Sequence, residues 1–292
     1  MVSIKVGFLI SYDYEFVKIS LPRVYNHVSE IYFAVDIEGK TWSGQDFDIN
    51  HEFWIWINEF DTQRKITIYR DKFYIPGLSS IECDTRERNM LSKRMGHCDW
   101  YIQIDSDEYF VDFGAFVKKL KDFKPLGPTT VACRVATLFK QVNTGYLVVG
   151  DSIERLNFAT NNPIYDIARI NNSGNAYTYW DDLVIHQSWA RITEEINLKL
   201  RNWGHKDDFN VDSFFNLWVA IDEHNYYALK GFHPLDEATW PKLEFISGDI
   251  DQLLASQELY LLFNQKPSLS KRKSLLSRLW KEIKLGSDSH WL

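Results

Sequence analysis

The sequence predicts an α/β fold with a mixed, mostly parallel sheet flanked by helices, and three observations carry that reading. Two continuous apolar runs of strand length, VGFLI (6–10) and IYFAV (31–35), bracket a segment with helical spacing at Phe16, Ile19, Leu21 and Tyr25. Strands that are apolar throughout are covered on both faces, as in βαβ units, whereas half-exposed strands alternate. A third run, WYIQI (100–104), breaks off into Asp105, Asp107 and Glu108 with only Ser106 between them. Carboxylates crowded at the end of a buried strand repel one another unless they hold something.

The remaining elements follow in order. Gly39 to Asn50 is polar and turn-like, and HEFWIWINEF (51–60) places apolar residues at helical spacing. ITIY (66–69) reads as a strand, Pro76-Gly77 as a turn, and SSIECDTRERNMLSKRM (79–95) as a helix carrying Arg86, Arg88 and Asn89 near its start. FGAFVKKLKDF (113–123) is an amphipathic helix and TTVACRVATLF (129–139) a strand, after which the pattern loosens. Strand character returns at LVIHQ (183–187), and a helix is predicted from Thr193, as a cap, to Arg201, with Glu194 and Glu195 in its first turn.

At 292 residues, with 45% apolar and 25% charged residues, the chain is an ordinary globular protein with one main core. The net charge of −7 argues against general affinity for nucleic acid, which needs a basic surface to release counterions. Cys83, Cys98 and Cys133 form neither a disulfide framework nor a zinc pattern, so buried, inert thiols in a reducing compartment are expected. The first apolar run is too short for a signal-peptide core, and no later stretch reaches the ~20 apolar residues of a membrane span. A cytoplasmic protein is the expectation.

Two carboxylates at D-x-D spacing on a strand end have a direct use: they hold a hard divalent cation that neutralises a diphosphate. An acidic loop capping the next helix has the same composition, so position has to decide. Strands ending VGFLISYD and IYFAVD, then R-x-R-N on a helix, then a strand ending DSD, resemble in order and spacing the metal-dependent, family-2-like glycosyltransferases of the GT-A fold. The resemblance covers residues 4–112 and, more loosely, 165–218. It implies a Rossmann-like GT-A domain over 1–245 with a helical extension over 246–292.

That resemblance implies nucleotide contacts from Asp13, Asp36, Arg86, Arg88, Asn89 and Asp105, a metal (Mn2+ or Mg2+) at Asp105 and Asp107, and a late ligand in His186 of VIHQSWAR. Arg191, Glu195 and Lys199 recur at four-residue spacing; they make either an exposed ion-pair ladder or a clamp, from Arg191 and Lys199, on the leaving diphosphate. An inverting member needs a general base, for which Asp181 and Asp182 in YWDDLV are the nearest match, with Asp207 and Asp208 behind them. A retaining member needs none. Trp180, Trp189 and Trp203 fill the core or stack on an acceptor sugar.

The expected reaction moves a sugar from a nucleotide-diphosphate donor, UDP-linked by expectation, to a glycan or lipid-linked glycan acceptor in surface polysaccharide synthesis. A sugar-phosphate nucleotidyltransferase is the competing enzyme class, but its Gly-rich loop has no counterpart in SYDYEF (11–16). A non-catalytic glycan- or nucleotide-binding protein on the same scaffold is the third reading. Finally, residues 266–285 hold seven basic residues against one acid, with Leu275, Leu276, Leu279, Trp280 and Ile283 on one helical face. Such a helix either docks on its own domain or lies peripherally on the inner face of an anionic membrane.

Overall fold

The computed structural model describes residues 2–172 and 174–264. The basic segment 266–285 lies outside the described residues. A 10-stranded mixed sheet runs through the molecule. Its first half is the βαβ pattern: β1 (Ile4–Ile10), α1 (Val17–Tyr25), β2 (Glu30–Asp36), α2 (His51–Phe60), β3 (Ile66–Asp71), α3 (Ser80–Met95) and β4 (Trp100–Asp105). These strands lie side by side in the order β3-β2-β1-β4, and every pairing among them is parallel. The chain therefore steps outward from β1 to β3 and returns to the other side of β1. That reversal opens a crevice beyond the carboxyl ends of β1 and β4, where Leu9 is level with Asp105.

Period-2 burial explains why these strands are apolar throughout. Val6, Phe8 and Ile10 face one core together with Phe33, Phe53 and Phe116, beneath α1, α2 and α4 (Phe113–Asp122). Leu9 faces a second core with Ala34, Leu91 and Met95, beneath α3. On that face Gly7 admits the helix, for a Cβ there would meet Leu91 Cδ2 at 2.7 Å. Burying a Phe or Leu side chain stabilises by about 1.5–3 kcal/mol, so both faces of β1 are strongly specified.

Helix α3 is set by its start and its stripe. Ser79 accepts a hydrogen bond from the N–H of Glu82, and the Glu82 carboxylate accepts from the N–H of Ser79. Before it, Pro76 and Gly77 make the turn expected of them, with Gly77 at φ +93°. The buried residues Cys83, Asp84, Glu87, Arg88, Leu91, Ser92 and Met95 fall at i, i+3, i+4 spacing, one face of the helix. This face carries Arg88 inward. Arg86, two residues earlier and so about 200° around the axis, is carried away from it.

The second half is mostly antiparallel: β5 (Glu108–Phe110), β6 (Thr129–Val142), β7 (Gly145–Gly150), β8 (Arg155–Thr160), β9 (Ala176–His186) and β10 (Lys242–Ser247). β8 runs antiparallel to β4, so it begins beside the carboxyl end of β4. β9 runs parallel to β6, placing His186 opposite Thr137, and antiparallel to β5, placing it opposite Glu108. Helices α5 (Thr193–Asn202) and α6 (Val211–Ala220) enclose a third core around Trp189, Trp218 and Trp240. Thr193 is the first helical residue of α5 and not its cap; the N–H of Ile192 donates to Glu195 instead.

Across residue 246, where a C-terminal helical extension is expected to begin, β10 pairs with β7 along Lys242–Ser247. Helices α7 (Ile250–Leu254) and α8 (Gln257–Asn264) then bury Leu253, Leu254, Leu259 and Phe263 against Ala136, Leu138 and Tyr146. Cys83, Cys98 and Cys133 are free and buried, and burial pushes each thiol up from its ordinary range. Among the described residues no helix is long and apolar enough to cross a membrane.

Candidate active site

The crevice holds a cavity of about 450 Å³. Asp105 ends β4, and Ser106 turns the chain by donating to the Leu9 carbonyl at 3.0 Å, so that Asp107 follows at the floor and Glu108 is buried behind it. Each acid has its own cation. Arg88 Nη2 lies 2.9 and 3.1 Å from the two oxygens of Asp105, while its Nε reaches Asp84 at 2.6 Å. Arg169 forms a two-pronged pair with the fully buried Glu108. Asp107 accepts from Arg191 and, at 3.0 Å, from Lys199, and its Oδ1 lies 3.5 Å from His186 Nε2. Arg191 also binds Asp13 at 3.0 Å.

The electrostatics follow from this pairing. Burial alone would raise the Asp107 pKa, but Lys199, His186 and Arg191 hold it well below the carboxylate range. At Asp105 the same contest between burial and the charges of Arg88 and Arg169 ends below the ordinary value. Burial works against a charged His186, yet the carboxylate of Asp107 outweighs it and the pKa rises. Burial together with Arg191 lowers that of Lys199. Burial wins at three other acids of the wall: it raises the pKa of Asp13 and of Asp84 despite Arg191 and Arg88, and that of Glu87, which accepts a hydrogen bond from Trp42 Nε1 at 2.6 Å, up to about 8.

The structure sorts the residues expected from sequence. Asp13, Arg88, Asp105, Asp107, His186 and Lys199 border the cavity, and Arg191 lies buried just behind Asp13 and Asp107. Asp36 reaches the cavity wall, but its carboxylate accepts from the backbone N–H groups of Glu38, Lys40, Phe73 and Tyr74 and so shapes the loops beside it. Arg86 is not brought in; its Nη2 reaches the Lys72 carbonyl. Asn89 also faces elsewhere, clasping both N–H and C=O of Tyr165. Glu195 makes no ladder with Arg191 and Lys199, which turn to Asp107.

Asp181 and Asp182 do not line the cavity. They sit in a bulge of β9, where Trp180 pairs with Cys133 but Leu183 with Arg134, on a stretch of strand remote from His186. Asp181 is taken by Arg134 and Arg155 and Asp182 by Lys119. Asp208 pairs with His205 at 2.8 Å. Trp180 packs on Phe116 and Phe123, whereas Trp189 and Trp203 reach the cavity wall.

Sequence reasoning missed Arg169, Glu154, Thr137, His233 and Trp240, all on the wall. Arg169 lies in a loop without a motif; the one hint is Asn89, whose clasp on Tyr165, with the Thr85 hydroxyl receiving the N–H of Ala168, fixes that loop.

A metal at Asp105, Asp107 and His186 can be tested against this arrangement. Among the described residues no three His, Cys, Asp or Glu side chains come together as a ligand set. Asp105 stands apart, held by Arg88. Asp107 and His186 remain as a carboxylate and imidazole pair on the wall; with Asp107 Oδ2 taken by Arg191 and Lys199, the donors left are Asp107 Oδ1 and, once deprotonated, His186 Nε2, for a hard divalent cation that takes its other ligands from a diphosphate and water.

Fold and site together define an α/β protein with a charged crevice at a sheet switch point, the edge at which open α/β sheets bind ligands. No family model and no curated protein matches the chain. Among solved structures it is similar to a mannosyltransferase from Pyrobaculum calidifontis in complex with GDP-Man and Mn2+, at 8% identity over 73% of this chain and 70% of that one, TM-score 0.44. It is also similar to S. aureus TarS 1-349, at 11% identity over 49% of this chain, TM-score 0.29. A third is a putative glucose-1-phosphate thymidylyltransferase from Bacillus anthracis, at 10% identity over 68% of this chain and 94% of that one, TM-score 0.36. The chain spans 38% of TarS 1-349 and 46% of a second TarS structure.

Proposed function

We propose that this chain is a glycosyltransferase that takes a nucleotide-diphosphate sugar, UDP-linked, and passes the sugar to a glycan acceptor. One observation carries the reading: Lys199, Arg88 and Arg169 converge with Asp105 and Asp107 on one cavity at the switch point, each cation held by an acid already in place. Departure of a nucleoside diphosphate builds negative charge on its oxygens, and fixed cations aimed there stabilise it without reorganising. Lys199 and Arg88 serve that role. Arg191, buried behind Asp107, holds the acid in place.

In this reading the two ends of the substrate lie on opposite sides of the switch point. On the β2 side the loop fixed by Asp36, with Lys40, Thr41, Trp42 and Phe47, offers an aromatic and polar wall for the nucleoside. On the β6 and β8 side lie Trp240, beside Glu154, and Trp189 and His233, which pack on Trp240; these rings suit the C–H faces of sugars. Asp107 and His186 would hold a Mn2+ or Mg2+ ion that, when bound, neutralises the diphosphate. A lipid-linked acceptor in surface polysaccharide synthesis, met at the inner face of a membrane, is the extension that the basic pattern of residues 266–285 supports.

Titration calorimetry with UDP, with and without MnCl2, tests the binding half. The Lys199→Met variant should bind at least ~10-fold more weakly, because a charge-assisted hydrogen bond contributes about 1.5–3 kcal/mol. Nucleotide binding that ignores Lys199, or none to UDP or GDP, would remove the reading.

A further inference from the structure

We propose that Glu154 takes the proton from the acceptor hydroxyl; the inference rests on the transferase reading and supplies the base that Asp181 and Asp182, outside the cavity, do not. Glu154 immediately precedes β8, and because β8 runs antiparallel to β4 this places it at the same sheet edge as Asp105. Its main chain is tied down: the N–H donates to Ser152 Oγ at 3.1 Å and the carbonyl accepts from Val135 at 3.2 Å.

Two donors reach one oxygen of the carboxylate. Thr137 Oγ1 lies 2.7 Å and Trp240 Nε1 3.4 Å from Oε2, and no ion pair at 4 Å or less joins Glu154 to a described cation. Thr137 is the strand partner of His186, and His186 is the partner of Glu108, so Glu154 just before β8, Thr137 on β6, His186 on β9 and Asp107 just before β5 border one space across neighbouring strands. The other carboxylates on the wall are placed differently: Asp13, Asp84, Asp105 and Asp107 pair with cations, Asp36 accepts from backbone, and Glu87, bonded through one oxygen to Trp42, lies on α3 against the loop that follows β2. A base must be a carboxylate or imidazole with an oxygen or nitrogen to spare, within reach of the hydroxyl. The His233 ring is less suited, since its Nδ1 already accepts from the N–H groups of Leu235 and Asp236.

The step balances within one displacement. The acceptor O–H gives its proton to the Glu154 carboxylate as the acceptor oxygen bonds to the anomeric carbon. The bond from that carbon to the diphosphate oxygen breaks, and the electron pair leaves with the nucleoside diphosphate beside Lys199. A single in-line displacement inverts the anomeric carbon.

The test uses the full chain with MnCl2 and a panel of UDP-glucose, UDP-N-acetylglucosamine, UDP-galactose and GDP-mannose, with p-nitrophenyl glycosides and water as acceptors. Released nucleoside diphosphate and the product anomer are read. Glu154→Gln, which preserves an oxygen for Thr137 and Trp240, should lower kcat about 10²–10⁴-fold. Its Kd for UDP and KM for the donor should stay within ~2-fold, and the acid limb of the pH–rate profile should vanish. Glu154→Asp, which keeps the carboxylate but moves it, should recover part of the rate and the limb. Activity of Glu154→Gln within a few-fold of the native chain, an unchanged acid limb, or a retained anomer would each overturn the proposal while leaving the transferase reading intact. UDP binding without turnover of any donor by the native chain removes both.

Discussion

Lys199, on α5, places its ammonium 3.0 Å from Oδ2 of Asp107, a residue 92 positions earlier in the chain. Arg191 and His186 close on the same carboxylate, so one acid of the DSD sequence anchors three basic side chains from the second half of the protein to the end of β4.

Asp107→Asn keeps the shape and removes the charge that compensates Arg191 and Lys199. Breaking a buried pair by removing one partner costs about 3–5 kcal/mol. Asp105→Asn should cost less, because the Asp105 side chain is 28% exposed where that of Asp107 is 3% exposed. Denaturant unfolding of the two variants side by side checks the order; equal losses would mean that Asp107 is not the structural anchor.

Glu87 makes stability depend on pH. Its folded pKa, about 8, lies above the ordinary carboxyl value, so between these values the folded state holds a proton that the unfolded state has released. Stability contributed by that proton is complete below the unfolded pKa and is lost as pH rises toward 8. The Glu87→Gln variant should gain Tm relative to the native chain as pH is raised from 5.5 to 8. A difference that stays flat across that window would show that Glu87 is ionised when folded.

Asn89→Ala removes the clasp on Tyr165 and leaves a backbone N–H and C=O unpaired, at a cost of about 1–3 kcal/mol each for any that stays buried. Because the same loop carries Arg169, the affinity for UDP should fall as well. Arg86→Ala, in contrast, should leave UDP affinity within ~2-fold. Calorimetry on both separates a helix that contacts nucleotide along its whole length from one that does so through Arg88.

Asp181→Asn and Asp182→Asn should keep transfer within ~2-fold of the native rate, and Asp181→Asn, whose carboxylate is exposed, should move stability by less than about 1 kcal/mol. A rate loss as large as that expected for Glu154→Gln would place the base on β9 after all.

The parallel half of the fold was legible in the sequence because its signals are local. Runs covered on both faces have a composition that exposed strands lack, and VGFLI, IYFAV and WYIQI each became a strand. The place of Asp105 and Asp107 followed from strand order alone. That Arg88 and not Arg86 turns inward was also within reach, since two residues on a helix point about 200° apart and only one can share the stripe of Leu91 and Met95. Further along, β7, β8 and β10 were missed: β8 and β10 mix apolar and polar residues, β7 is a short apolar run without a flanking motif, and no spacing fixes their antiparallel partners.

What only the tertiary structure decided is which charges meet. Arg169 and Glu154 lie outside any motif and reach the crevice because β8 runs antiparallel to β4 and because Asn89 pins the loop before β9. Asp181 and Asp182, the nearest but loose match to a motif, sit at a bulge outside the cavity. Sequence fixes the periodicities that build a strand or helix face, since these depend on neighbours two to four residues away; a site assembled from β4, β8, β9 and α5 depends on pairings between distant segments, which no local pattern encodes.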